Sequence, residues 1–179
     1  RASERLALDR EMELARQIQD SYMPPPTTLI GEGVSVHTYQ RKYHALGGDW
    51  VAMRQLPDGR VVVLVADASG KGIQASLVTF ALHSLWASAL AEPEFYPVGW
   101  LSHVKQTRKS WRGSTLQTMT IGLAVISDEE LVYYSAGHIP CFVAVAGESG
   151  GRYVKTLRAS GNMVGVVDDL SLVPARLDL

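Results

Sequence analysis

The sequence predicts an α+β fold in which antiparallel sheets pack on one another with helices outside them. Three observations predict it. Strand-like runs at 50–56 and 61–66 are joined by Pro57, Asp58 and Gly59, a tight-turn signal, so they form an antiparallel hairpin. Two helical stretches, 73–91 and 98–111, follow that hairpin with no strand between them. The chain then returns to alternating strands and turns from 118 to 157. Of the 179 residues, 46% are hydrophobic, enough for one domain with a sizeable core plus an appendage.

The appendage is residues 1–26, and the domain is 27–179. Leu8, Met12, Ala15, Ile18 and Tyr22 recur at helical spacing on one stripe, and Pro24, Pro25 and Pro26 end the helix. A single helix of this length is not stable alone in water, so it must dock on its domain or pair with a second copy. Residues 34–40 alternate as a half-exposed strand does. Arg41, Lys42 and His44 form a small basic cluster, which either steers a phosphate or is a solvated loop. Helix 73–91 carries a wide apolar stripe with Leu77, Phe80, Ala81, Leu85, Trp86 and Ala89, so it is expected to be well buried. His83 on it reads as a partly buried helix residue. In helix 98–111, Trp100, Leu101 and Val104 face inward, while Lys105, Arg108 and Lys109 face outward near the negative end of the helix dipole. Strands follow at 118–126, 131–135, 142–146 and 153–157, with one more short strand at 170–173.

A formal net charge of −1 implies no general attraction to nucleic acid or to an anionic membrane. Cys141 is the one cysteine, which excludes an internal disulfide and a cysteine-rich metal site. It reads as a buried filler in a reducing, cytosolic compartment. No apolar run is expected to be long enough to span a bilayer, although a longer parent chain can carry an anchor upstream. The chain opens on Arg1 without a signal peptide or initiator methionine, as a piece of a longer protein would.

The chemistry gathers where the apolar run 61–66 ends in Asp67, before Ala68, Ser69, Gly70, Lys71 and Gly72. An unbroken apolar run predicts a strand buried on both faces. Gly70 and Gly72 let the backbone approach a ligand closely or take positive φ. Gly47, Gly48 and Asp49 open the first strand of the hairpin, so Asp49 and Asp67 face each other at its open end. Two carboxylates side by side repel unless a proton or a cation joins them, and an oxygen-rich site suits magnesium or manganese. The plainer alternative is that Asp67 caps the following helix and Asp49 is a solvated turn residue.

Gly47-Gly48-Asp49, then Asp67-Ala68-Ser69-Gly70-Lys71-Gly72, then Ala136-Gly137-His138-Ile139-Pro140 stand in an order that resembles the PPM metal-dependent protein phosphatases. The likeness is greatest to the SpoIIE-like branch, which regulates sigma factors. The approach segment, with Ile18 and Gln19 before Pro24, also resembles that branch. The resemblance covers nearly the whole chain. It implies a central β-sandwich flanked by helices (αββα) and two Mn2+ or Mg2+ ions, with Asp49, Asp67 and the Ala68 carbonyl as ligands. The ions would bind phosphate and make hydroxide available near neutral pH, so no protein nucleophile is needed. Gly70, Lys71, Gly72 and His138 are candidate substrate-loop residues. Lys71 departs from the branch's histidine or asparagine and either contacts phosphate or repels a cation. His138 either binds substrate or is a turn-forming imidazole hydrogen-bonded to backbone.

The function implied is a phosphoserine/phosphothreonine phosphatase acting on a regulatory phosphoprotein such as an anti-sigma-factor antagonist. Control would come from an upstream sensor through the N-terminal helix, in a homodimer paired along that helix, with no nucleic acid involved. The rival is a non-catalytic signalling module, a pseudophosphatase that binds a partner. One departure favours the rival for this piece. The family continues to a Thr-Asp-Gly motif and a final acidic pair that supply further metal ligands, and neither is met before Leu179. Asp168 and Asp169 lack the context to replace them. The expectation is therefore a domain lacking its C-terminal part, either a shortened piece or a degenerate homologue, and weakly active or inactive as it stands.

Overall fold

The computed structural model describes residues 2–29, 34–40, 46–92, 94–111, 118–147 and 150–179. The basic cluster at 41–44 lies outside the described residues. In chain order the elements are α1 (Ala2–Ser21), β1 (Thr27–Leu29), β2 (Ser35–His37), β3 (Asp49–Gln55), β4 (Val61–Ala68), α2 (Ile73–Leu90), α3 (Pro97–Ser110), β5 (Met119–Ile126), β6 (Glu130–Ala136), β7 (Cys141–Ala146), β8 (Arg152–Leu157) and β9 (Ala175–Asp178). Five strands form one antiparallel sheet in the order β3-β4-β5-β6-β9, while β7 pairs with β8 and β1 with β2. The hairpin expected from the sequence is β3–β4, closed at Gln55↔Val61 and open at Asp49↔Asp67. Gly59 takes φ 89° in its turn, a conformation that favours glycine.

Strand alternation divides the sheet into two faces. Trp50 and Ala52 of β3, Val62, Leu64, Ala66 and Ala68 of β4, and Ile121, Leu123 and Val125 of β5 form one core with Val78, Leu82, Trp86, Trp100, Leu101 and Val104 of the two helices. Trp86 meets Trp50, Phe95 and Trp100 edge-on, with ring centroids 6.4, 5.4 and 5.6 Å apart. Each such pair adds about 0.5–1.5 kcal/mol beyond area burial. On the other face the β7–β8 ribbon forms a second core, in which Cys141, Val143, Val145 and Leu157 pack with Leu131, Tyr133 and Leu177. The result is the expected α+β arrangement: antiparallel sheet layers, with α2 and α3 outside the larger one.

Several details differ from the sequence reading. β4 is not buried on both faces, because the ribbon's core draws on β5, β6 and β9 and leaves Val65 40% exposed. In α2, Ala75, Val78, Thr79, Leu82 and Trp86 are buried, whereas Leu77 and Phe80 are 61% and 48% exposed. α2 is apolar on every side and carries no charged residue, so by length and composition it could cross a membrane, contrary to the expectation that no such run exists. The stretch 170–173 is not a strand. It makes one isolated bridge, Ser160↔Val173, and Ser171 interrupts it at φ 44°. The strand comes after Pro174, as β9, which pairs with β6 from Tyr133↔Ala175 to Glu130↔Asp178.

α1 ends before the proline run, and the residues just after it, Tyr22 and Met23, dock on the domain. The contact stripe is rotated from the expected one. Gln19 is buried at 2% exposure, while Leu8 and Ile18 are 55% and 51% exposed. His83 stacks on Tyr22 at 4.7 Å between centroids, a packing role for that imidazole.

Candidate metal centre

Asp49 and Asp67 are direct partners across β3 and β4. The Ala68 N–H donates to the Gly48 carbonyl at 2.9 Å, so Gly48/Ala68 is the hydrogen-bonded pair of the ladder. Asp49/Asp67 is then the adjacent, narrow pair, with Cα atoms about 4.5 Å apart and side chains drawn together. Both carboxylates are exposed. Their backbones are held by buried neighbours, Trp50 at 0% and Ala66 at 0%. Burial, then repulsion and hydrogen bonding from Asp67, push the Asp49 carboxyl above the usual carboxylate range, and His138 partly offsets this.

The sign of that shift gives a prediction. Because Asp49 titrates higher in the folded state, its contribution to stability is fully present below its unfolded pKa and is lost as pH rises through its folded value. At neutral pH the metal-free domain therefore carries the whole penalty. Because the pair is exposed and screened by solvent, Asp49→Asn is expected to melt no lower than wild type, and at most slightly higher, in EDTA at pH 7. Calorimetry of both proteins checks it, and a lower melting point in the variant would show that the pair is not under strain.

Close approach fixes the third oxygen. A Cβ on Gly48 would stand 2.4 Å from the Ala68 carbonyl oxygen and 3.2 Å from Ala75 Cβ. The loop after Asp67 is pinned to the start of β5, because the Ser69 N–H donates to the Thr118 carbonyl at 2.8 Å and the Thr118 N–H donates to Ser69 Oγ at 2.9 Å. Gly70 and Gly72 both adopt positive φ, 100° and 66°, on either side of exposed Lys71. Gly72, not Asp67, is the N-cap of α2, and the first turn has neither a side-chain cap nor an acid. The positive end of the α2 dipole therefore lies at the same end of the hairpin as the two aspartates.

Thr120 extends the row, standing opposite Asp67 across β4 and β5. Its Oγ1 lies 2.7 Å from His138 Nδ1. The imidazole is thus oriented by a side chain and not, as the sequence reading allowed, by backbone. The backbone of His138 is held separately, its N–H donating to Ser135 Oγ and its carbonyl accepting from that hydroxyl, each at 2.9 Å. The ring fits over β5 because residue 122 is glycine, where a Cβ would stand 2.7 Å from His138 Cδ2. Burial lowers the His138 pKa, and the charges of Asp67 and Asp49 oppose that shift.

Among the described residues no group of three or more His, Cys, Asp or Glu side chains converges. The donor set at this end of the hairpin is two carboxylates and the Ala68 carbonyl, all oxygen, which fits a hard divalent cation. The carboxyl pair, with Asp49 titrating high, is the electrostatic mark of a place that a cation would relieve. Asp168 and Asp169 are engaged elsewhere, with Lys109 at 2.8 Å and with Ser171. Cys141 is half-buried with its thiol pKa pushed up by burial, which makes it inert packing.

Comparison with known proteins places this arrangement. Residues 57–179 match the family of Stage II sporulation protein E (SpoIIE). The chain is 25% identical over 178 residues to the phosphoserine phosphatase RsbP of Bacillus subtilis, covering 97% of this chain and 42% of RsbP. It thus spans less than half the length of that relative. Among solved structures it resembles the SiaA PP2C domain of Pseudomonas aeruginosa, with a TM-score of 0.72 and 19% identity, covering 100% of this chain and 70% of that one. It also resembles the PP2C phosphatase domain of SpoIIE from Bacillus subtilis, with a TM-score of 0.56 and 18% identity over 75% of this chain and 37% of that one. The narrow acid pair, the glycine loop and the Ala-Gly-His turn thus sit on a PP2C-type fold, and the chain belongs to the SpoIIE family, in the PPM class of metal-dependent phosphatases.

Proposed function

We propose that the protein containing this chain is a metal-dependent phosphoserine/phosphothreonine protein phosphatase. Its substrate in this reading is a phosphorylated regulatory protein of the anti-sigma-factor-antagonist kind. The observation that carries the reading is the Asp49/Asp67 narrow pair at the open end of the hairpin, with the Ala68 carbonyl close against Gly48 at the same end. Asp49, Asp67 and the Ala68 carbonyl would hold Mn2+ or Mg2+, which when bound polarises a phosphate ester and lowers the pKa of water. The remaining work falls to the protein's own groups. Gly48 leaves room for the Ala68 carbonyl, and buried Trp50 and Ala66 fix the two carboxylates. Lys71 and the uncapped first turn of α2 add positive potential that attracts a phosphomonoester. His138, with Nδ1 engaged by Thr120, keeps Nε2 for a substrate oxygen. The test is phosphate release from a phosphoserine protein by the full-length enzyme. Hydrolysis with Mn2+ that stops in EDTA supports the reading, hydrolysis unchanged by EDTA overturns the metal mechanism, and none with Mn2+ present favours the partner-binding module.

Residues 1–26 are, in the same proposal, the linker from an upstream sensor, and residues 27–179 belong to the phosphatase domain. The exposed apolar residues Leu14 and Ile18, at 58% and 51%, stand one helical turn apart on α1, and they offer a seam for a second copy. Ile18→Asp is expected to abolish dimerisation of the full-length protein or its regulation, with the domain still folded. Light scattering and activity assays check this, and unchanged association together with unchanged regulation would make the helix a passive tether.

A further inference from the structure

We propose that Gln19 is a positioning residue for the acid pair, holding the start of β3 so that Asp49 and the Ala68 carbonyl keep their mutual placement. This rests on the metal reading of Asp49 and Asp67. On α1 Gln19 is the buried residue among those described, at 2% exposure. A buried amide costs about 1–3 kcal/mol if left unpaired, and this one is fully used. Its Nε2 donates to the Gly47 carbonyl at 2.8 Å and to Thr79 Oγ1 at 3.2 Å, and its Oε1 accepts from the Gly47 N–H at 3.0 Å. One side chain therefore takes both backbone groups of one residue, as a neighbouring strand would.

The location explains why this matters. β3 is an edge strand of its sheet. Gly48 turns its carbonyl inward to Ala68, so the backbone groups of Gly47 and Asp49 turn outward, where no strand pairs with β3. Two glutamine amides meet them there: Gln19 on Gly47, and Gln40, whose Nε2 donates to the Asp49 carbonyl at 3.2 Å. Gln40 makes one bond and lies in an exposed contact, whereas Gln19 makes both and is anchored to α2 through Thr79. Thr79 is itself fixed, donating to the Ser76 carbonyl at 2.9 Å and meeting the Tyr22 hydroxyl at 3.0 Å. From Gln19 the path runs through Gly47 and Gly48 to the Ala68 carbonyl, and through Gly47 to Asp49 two residues on. Releasing the amide frees the segment that leads into Asp49.

The experiment uses the full-length protein with Gln19→Leu and Gln19→Glu, and Arg16→Ala as the control. Hydrogen exchange of the segment 46–50 in EDTA reads the clamp without metal. Calorimetric titration with Mn2+ reads its consequence without turnover. In Gln19→Leu the Gly47 amide should exchange faster and the Mn2+ Kd should rise ~10–100-fold, the range for partners that orient metal ligands. Gln19→Glu keeps the acceptor for the Gly47 N–H but cannot donate to its carbonyl, so a smaller rise is expected. If the leucine variant does not fold, the glutamate variant carries the test. Arg16→Ala removes the exposed ion pairs of α1 with Glu13 and Asp20 without touching Gln19, Thr79 or Gly47, and should stay within twofold of wild type. Faster exchange with unchanged Mn2+ affinity would make Gln19 a structural staple and overturn the proposal, as would no change in either readout. A wild-type protein that binds no Mn2+ would overturn the metal reading itself, and that result is distinguishable because the exchange measurement does not depend on it.

Discussion

Asp67→Asn is expected to lower phosphatase activity of the full-length protein at least ~100-fold at saturating Mn2+, about 2.7 kcal/mol of transition-state stabilisation. Asn keeps the size and one oxygen but removes the charge that opposes the cation and fixes where water and phosphate meet. Asp67 is exposed at a strand end, and its side chain is not part of either hydrophobic core, so the fold does not depend on it. Removing one of two facing carboxylates also relieves the repulsion that raises Asp49, so the variant should melt no lower than wild type in EDTA. Loss of rate with retained stability is thus the signature. Steady-state kinetics across Mn2+ concentration, with melting curves beside them, check it. A variant within severalfold of wild type would place the catalytic metal elsewhere.

The acid pair was legible in the sequence because it depends on local rules. A Pro-Asp-Gly turn between two runs of matched length sets a hairpin register, and register decides which residues face each other. Asp49↔Asp67 follows from that count. The glycines at 70 and 72 were legible for the same reason, since only local backbone geometry is involved, and both take positive φ. Thr120 was hidden because its place beside Asp67 requires the pairing of β4 with β5 across two helices, and inside a run of strand formers a threonine reads as one more β-branched residue. Gln19 was hidden by the stripe itself. Apolar periodicity assigns the buried face to leucine and isoleucine and leaves a glutamine to solvent, yet this helix docks through an amide that replaces a strand's hydrogen bonds. The buried side of α2 could not be read either, because a helix apolar all round has no preferred direction. β9 was misplaced because Leu170 marks a buried residue in a loop, while the four residues that pair with β6 come after Pro174.

Gly48→Ala is expected to be as damaging as loss of a ligand, although it adds one methyl group and removes no functional atom. Gly48 does not adopt positive φ; the constraint is a Cβ 2.4 Å from the Ala68 carbonyl oxygen, with Ala75 Cβ at 3.2 Å behind it. The obstruction is backbone, so it cannot rotate away as a side chain tip does. Either the start of β3 moves off β4, breaking the Ala68 N–H to Gly48 bond, or the Ala68 carbonyl turns. Both displace a proposed metal ligand relative to Asp49. Overpacking of this kind costs about 1–3 kcal/mol, a melting drop of roughly 2–4 °C for each kcal/mol in a domain this size. Mn2+ affinity should fall further in proportion, ~10–100-fold, because ligand placement is lost as well as stability. Gly70→Ala separates the two effects. It meets nothing within 4 Å but forces an alanine to φ 100°, so it strains the backbone without touching the carbonyl. Titration calorimetry should find Mn2+ affinity near wild type in Gly70→Ala and weakened in Gly48→Ala at comparable loss of stability. Equal affinities in the two variants would mean that the Ala68 carbonyl is not a ligand and that Gly48 serves packing alone.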